Sequence, residues 1–499
     1  MKYISTRDTR GEAAERISSA EAIKRGLAPD GGLYLPETIP TTDIDFIRSL
    51  SGLGYSDIAV KILSLYLDDY TEEELRADCT AAYDGQNFDV TPAPIKKAGD
   101  GVWCMELWHG PTSAFKDMAL QLMPRLLSRA LKKTGEERTA LVLVATSGDT
   151  GKAALEGYKN VPGVAIKVFY PVDGVSRVQK LQMMTQEGDN VDVCAIKGNF
   201  DDAQSGVKSI FGDPEMRDAL DRRGYFLSSA NSINWGRLVP QIVYYYAGYA
   251  QMADAGIISW GDSIDVAVPT GNFGNIFAAY LARRMGLPLR RLVCASNSNN
   301  ILTDFLSTGK YDRNRKFYTT MSPSMDILIS SNLERLIYLM TDAETTKKLM
   351  SELSANGCYS VSPDTLRDIR ECFDGYFADE GQTGAAIARH FSEHGYLFDT
   401  HTAVAVSCTE RYLEDLTAAD RLPMLVASTA SPYKFAQDVL SSLTGGKSTA
   451  EGTAALGELS RLTGTGIPAP LDGLDSRKVR FDRVIAPTGM PEDVLQYLK

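Results

Sequence analysis

The spacing of apolar and polar positions changes character along the chain. Up to residue 86 the apolar residues recur at helical intervals. Segments 18–25, 43–52 and 56–68 predict helices, and PDGGLYLP (29–36) predicts a turn entering a short strand. TEEELRADCTAAYD starts another helix, with Thr71 as N-cap and Glu74 three residues later. The two prolines of NFDVTPAPIKK (87–97) mark a boundary.

Beyond residue 100 the apolar positions become continuous. LVLVA (141–145), the run 164–170, IDVAVP (264–269), RLVCA (291–295) and MLVAS (424–428) predict strands buried on both faces. Helical stretches such as GKAALEGYKN and IFAAYLARRMG follow two of them. Strands alternating with helices predict an α/β fold with mostly parallel sheets covered on both sides. Segments 331–346 and 363–377 predict further helices, and the Gly-, Ser-, Thr- and Ala-rich tail 441–468 a mobile connection or loose helix. The expected division is a small helical unit (1–86), a catalytic core with two sheet subdomains (95–440) and a C-terminal extension (441–499).

Composition narrows the function. With 499 residues, 44% of them hydrophobic, the chain can bury the cores of two or three domains. A net charge of −12 argues against nucleic acid as a partner, since a duplex binder needs a basic face. No apolar run reaches the roughly 18 residues of a membrane span, and the first residues lack a signal-peptide core, so a cytoplasmic protein is expected. The seven cysteines form no CxxC pair, which argues against a disulfide framework or a zinc site. Of the four histidines, His390 and His394 share a helical spacing but have no third ligand nearby, so no metal is expected.

The candidate chemistry sits in LWHGPTSAFKDMALQLMPRLL (107–127). HGPT is a tight turn. Phe115, Met118, Ala119, Leu122, Leu126 and Leu127 then recur at helical spacing, which puts Lys116 in the first turn. Burial and the positive helix N-terminus both disfavour an ammonium there, and a neutral amine is what attacks an aldehyde. Taken alone, a lysine is more often solvated. Two loops change the balance. TGNFGN (270–275) joins a strand to a helix, where backbone amides suit a phosphate, although an ordinary tight turn fits the pattern as well. ATSGDTGKAA (145–154) is not a nucleotide loop, because Thr146 stands in place of the first Walker glycine and Ala153 in place of the metal-binding hydroxyl. Its residues 147–151 suit a polar crevice at the carboxyl ends of the strands.

Seven motifs in order resemble threonine synthases of the branch with a long N-terminal domain. They are LAPDGGLYLP (27–36), HGPTSAFKD (109–117), TSGDTG (146–151), NSINWGR (231–237), GNFGN (271–275), MDILISSNLERL (325–336) and STASPYKF (428–435). The resemblance implies the tryptophan synthase β-like fold, pyridoxal phosphate as cofactor, and conversion of O-phospho-L-homoserine and water to L-threonine and phosphate by a monomer or homodimer. It implies that Lys116 forms the internal aldimine and serves as acid and base. Gly271, Asn272, Phe273, Gly274 and Asn275 would bind the cofactor phosphate. Asp149 would lie near the ring 3-hydroxyl, and the Thr429 hydroxyl would meet the pyridine nitrogen. Family members often read TAHPAKF where this chain has TASPYKF, with Ser431 and Tyr433 replacing His and Ala. A phosphorylated substrate also needs a second anion site. The candidates for substrate contact are His109, Ser147, Asn231, Ser232, Asn234 and Arg237, the last offering a planar fork. The alternative for this run is that Ser232 and Asn234 cap a helix while Arg237 pairs with an acid. A related phospholyase or dehydratase on the same fold remains the second enzyme reading.

Overall fold

The continuous apolar runs form the centres of two sheets in the computed structural model, which describes residues 1–498 other than 86, 89, 90, 147 and 174. In the larger sheet the strand order is Phe373–Phe377, Leu289–Ser296, Ile264–Pro269, Met424–Ser428, Val102–Glu106, Ile95–Gly99. Neighbours are parallel except for the last pair. The smaller sheet runs Val484–Ile485, Val191–Ile196, Val164–Pro171, Thr139–Ala145, Tyr225–Ser228, all parallel. Helices flank both sheets, as parallel strands buried on two faces require. The loops leaving Ala145, Pro269 and Ser428 all reach one cleft, where open α/β sheets bind ligands.

The N-terminal unit is stitched onto this core. Tyr3–Ser5 pairs antiparallel with Tyr34–Pro36, and Thr71 with Glu74 forms the expected capping box. The rings of Tyr3 and Tyr66 each sit 5.5 Å from the buried Trp235. The Tyr83 hydroxyl donates to the Met118 carbonyl at 2.6 Å, two residues beyond Lys116. Burial of these aromatics ties the unit to the core through apolar area as well as hydrogen bonds.

Three segments differ from the pattern reading, and a fourth takes one of its two expected forms. The helix bearing Lys116 ends at Leu120, and a second spans Met123–Lys133. Pro124 has no N–H to give the Leu120 carbonyl, so one helix cannot run through. That carbonyl instead packs on Gly157, where a Cβ would lie 1.8 Å from it. Segment 363–377 is a helix only over Pro363–Arg370. The aromatic stretch Phe373–Phe377 is the edge strand of the larger sheet, as suits residues that fit a pleated surface. Segment 331–346 is broken by a new N-cap, Asp342, which accepts from the Thr345 amide at 2.7 Å. Within the tail 441–468 the helical alternative is the one observed, as helix Gly452–Thr463; beyond it Val484–Ile485 joins the smaller sheet and Met490–Tyr497 forms a further helix. Buried Lys167 pairs there with Asp192 and with Asp493 at 2.6 Å. Among the described residues no helix is long and apolar enough to cross a membrane, and no cluster of metal-ligating side chains occurs.

Candidate active site

The HGPT turn aims Lys116 inward. Ser113 adopts a left-handed φ of 59°, and the Thr112 amide and hydroxyl donate to Asp117 at 2.8 and 2.6 Å. A Cβ on Gly110 would sit 2.6 Å from the Asp117 Cβ, so the turn closes only with glycine there. The Phe115 amide donates to the Thr429 carbonyl at 2.8 Å, and the Ser431 amide donates to the Ser113 carbonyl. The turn is thus fixed against the end of strand Met424–Ser428. Lys116 becomes the first residue of its helix, buried, with Nζ 3.0 Å from Ser324 Oγ and 3.4 Å from Asp149 Oδ2.

Asp149 is shared by two lysines. Its Oδ1 lies 3.1 Å from Lys434 Nζ and accepts from Gln179 Nε2 at 2.9 Å. Lys434 also donates to the Thr112 carbonyl at 2.7 Å and its side chain is fully buried. Burial alone would raise the Asp149 carboxyl. Lys434 and then Lys116 outweigh that, and the carboxylate stays well below the usual range. Burial lowers the Lys116 amine; Asp149 opposes this, while Lys434 and Arg237 reinforce it. The result favours a free amine at Lys116.

The loop 271–275 leaves its backbone amides open to an anion. Phe273 takes a left-handed φ of 62° and starts helix Gly274–Met285 without a side-chain cap. The Gly271 carbonyl is drawn away by Ser330 Oγ at 2.7 Å, and the Asn272 carbonyl by Asn332 Nδ2 at 2.9 Å. Among the described residues, no protein acceptor takes the backbone amides of residues 271–275. A Cβ on Gly271 would lie 2.8 Å from the Ser324 carbonyl. Asn275 accepts from the hydroxyls of Tyr244 and Tyr245, and its buried Nδ2 has no partner among the described residues. Orphan amides, an orphan amide side chain and a glycine-shaped floor fit a bound phosphate.

These groups line one cavity of about 740 Å³, together with Thr429, His401, Asn231, Ser232 and Arg237. His401 Nε2 accepts from the Ser324 amide at 3.1 Å, and its Nδ1 faces Asp399 Oδ1 at 3.1 Å, which assigns the proton to Nδ1. Arg237 is buried and donates to the Ala230 carbonyl at 2.8 Å. The acid partner considered for it is absent among the described residues, and burial pushes its pKa down to about 10. An unpaired buried guanidinium favours an anion beside it.

Two of the sequence candidates are not brought to the cavity. Asn234 caps a helix through the Gly236 amide and donates to the Ile23 carbonyl, both at 2.9 Å, so its side chain serves the N-terminal unit. His109 stacks on Trp108 at 4.2 Å and bonds Glu106 at 2.8 Å, because the acid three residues earlier competes for the ring. Ser147 lies outside the described residues. Sequence reasoning missed Lys434, Ser324, Gln179 and His401. Lys434 stood within the quoted STASPYKF motif, where a cation among small and apolar residues was the available signal.

Comparison with known proteins agrees with this geometry. Residues 2–83 match the family described as threonine synthase N terminus, and residues 89–426 match the pyridoxal-phosphate dependent enzymes. Threonine synthase of Pseudomonas aeruginosa is 38% identical over 442 residues, covering 88% of this chain and 90% of that one. The chain belongs to the threonine synthase family. Human threonine synthase-like 1 is also 38% identical, over 458 residues and 88% of this chain; the chain spans 60% of that longer relative. The crystal structure of pyridoxal-phosphate-bound threonine synthase from Brucella melitensis superposes with a TM-score of 0.88 at 36% identity, covering 100% of both chains. The two-sheet architecture is therefore the threonine synthase form of the pyridoxal-phosphate fold.

Proposed function

We propose that the chain converts O-phospho-L-homoserine and water to L-threonine and phosphate, with pyridoxal phosphate held by Lys116 and the loop 271–275. One observation carries this reading: a single cavity joins a buried amine to two separate anion-seeking groups, the amides of 271–275 and the unpaired Arg237. A phosphorylated substrate acted on with a phosphorylated cofactor needs both.

When bound, pyridoxal phosphate supplies an aldehyde for the amine and an electron-withdrawing ring. The protein's own groups do the rest. Lys116 Nζ, favoured as a free amine, takes the proton from the substrate Cα and can return one at the neighbouring carbons. Asp149 and Ser324 hold Nζ in place between proton transfers. Lys434 keeps Asp149 ionised when the Lys116 charge is absent. Thr429 lines the same cavity, and its neutral hydroxyl would be the group to meet the ring nitrogen of a bound cofactor, offering a hydrogen bond without a full proton. Arg237, with Asn231 and Ser232, grips the substrate phosphate and stabilises it as it leaves. Phe200 and Lys208 on helix Phe200–Gly212 also line the cavity. Residues 1–86 brace the catalytic core (95–440), and the extension 441–499 completes the smaller sheet.

Purified enzyme given O-phosphohomoserine tests the reading. Threonine and phosphate should form in equal amounts. Release of 2-oxobutanoate without threonine would place the chain among phospholyases instead.

A further inference from the structure

Arg335 follows Asn332 by one helical turn and is fully buried. Among the described residues no carboxylate pairs with it. Its neighbour Glu334 is taken by Arg7, at 2.8 and 2.6 Å, and by the Thr6 hydroxyl at 2.6 Å. Arg335 bonds only neutral acceptors. Nε and Nη2 donate to the Tyr34 carbonyl at 3.1 and 3.0 Å, Nη2 donates to the Ile233 carbonyl at 2.6 Å, and Nη1 donates to Asn332 Oδ1. Asn332 then donates through Nδ2 and its backbone amide to the Asn272 carbonyl, at 2.9 and 3.1 Å.

This chain of bonds joins three parts of the molecule. Tyr34 belongs to the N-terminal sheet, Ile233 to the polar run before Arg237, and Asn272 to the anion loop. Turning the Asn272 carbonyl toward Asn332 turns the Phe273 amide the opposite way, and among the described residues no acceptor takes it. A buried guanidinium without a counter-charge also adds positive potential behind those amides, and burial lowers its own pKa in consequence. Lysine could not span the same acceptors, because the planar fork serves them at once.

We propose that Arg335 is a positioning residue that uses the N-terminal unit as an anchor to hold the loop 271–275 in its phosphate-binding form. The proposal rests on reading that loop as the seat of the cofactor phosphate. It gives the N-terminal unit a task in catalysis: Tyr34, fixed by its pairing with Ser5, is the point from which the loop is braced.

The test separates phosphate recognition from general stability. Full-length apo-protein is titrated with pyridoxal 5′-phosphate and, separately, with pyridoxal, following the absorption of the bound aldehyde. Arg335→Met should weaken pyridoxal phosphate binding on the order of tenfold or more, as loss of charged hydrogen bonds implies, while pyridoxal affinity changes less than about twofold. Arg335→Lys should recover part of the loss. Asn332→Ala cuts the link on the loop side without emptying the arginine's pocket, and should give the same phosphate-selective loss even if Arg335→Met does not fold. Equal weakening of both ligands in Asn332→Ala, or no weakening of either, overturns the proposal. Wild-type protein that binds the two ligands equally would instead overturn the loop assignment, and the proposal with it.

Discussion

Lys434 Nζ lies 3.1 Å from Asp149 Oδ1, while Lys116 Nζ faces the other oxygen of the same carboxylate at 3.4 Å. Two buried lysines therefore compete for one acid. The charge of Lys434 lowers the Lys116 amine, which Asp149 alone would raise. Lys434 has the additional carbonyl of Thr112, and Lys116 stands at a helix start.

Removing Lys434 should release Asp149 to Lys116. In Lys434→Met apo-protein the Lys116 amine should titrate at higher pH than in the wild type, because a repelling cation is gone and its carboxylate partner is no longer shared. Reductive methylation with peptide mapping across pH gives the midpoint. A midpoint that stays or falls contradicts the competition.

Asp117 carries an opposite pH signature. Burial pushes its carboxyl up to about 6, against the hydrogen bonds from Thr112. Between the ordinary carboxyl value, about 4, and that folded value, the native state binds more protons than the unfolded chain. Stability from this group is present at low pH and lost as pH rises through the interval. Compared with Asp117→Asn, the wild type should lose up to about 3 kcal/mol over that window, at about 1.4 kcal/mol per pH unit. Urea unfolding of both proteins at several pH values checks the slope; a parallel pair of curves argues against it.

Gly271 is fixed by its neighbour. Gly271→Ala places a methyl 2.8 Å from the Ser324 carbonyl and should shift the loop and Ser324 together. Pyridoxal phosphate affinity should fall at least about tenfold with the fold intact by circular dichroism. Unchanged affinity would mean that the floor of the site lies elsewhere.

Arg237 is assigned to the substrate. Arg237→Met should raise KM for the phosphorylated substrate roughly tenfold to a hundredfold, the scale of one lost charged hydrogen-bond set, while the cofactor still binds. If cofactor affinity falls and KM does not, Arg237 serves the cofactor phosphate.

The parallel sheets were legible because strands buried on both faces read as unbroken apolar runs, as in Leu141–Ala145 and Met424–Ser428. The turn at 271–275 was legible because Gly271 and Gly274 sit where a strand meets a helix. Other features depend on tertiary partners. Phe373–Phe377 reads as the end of a helix until Leu292–Ser296 offers it an edge. His109 reads as a site residue until Glu106 holds its ring, and Asn234 until the Ile23 carbonyl takes its amide. Lys434 and Arg335 show the reverse case. A buried cation looks like a surface one in sequence, and only the packing shows what it braces.

Lys116, and not Lys434, is expected to carry the cofactor. Borohydride reduction of the holoenzyme followed by peptide mass mapping tests it most directly. One pyridoxyl-phosphate adduct is expected, on the peptide at Lys116, absent from Lys116→Ala. An adduct on Lys434, or none on any lysine, contradicts it.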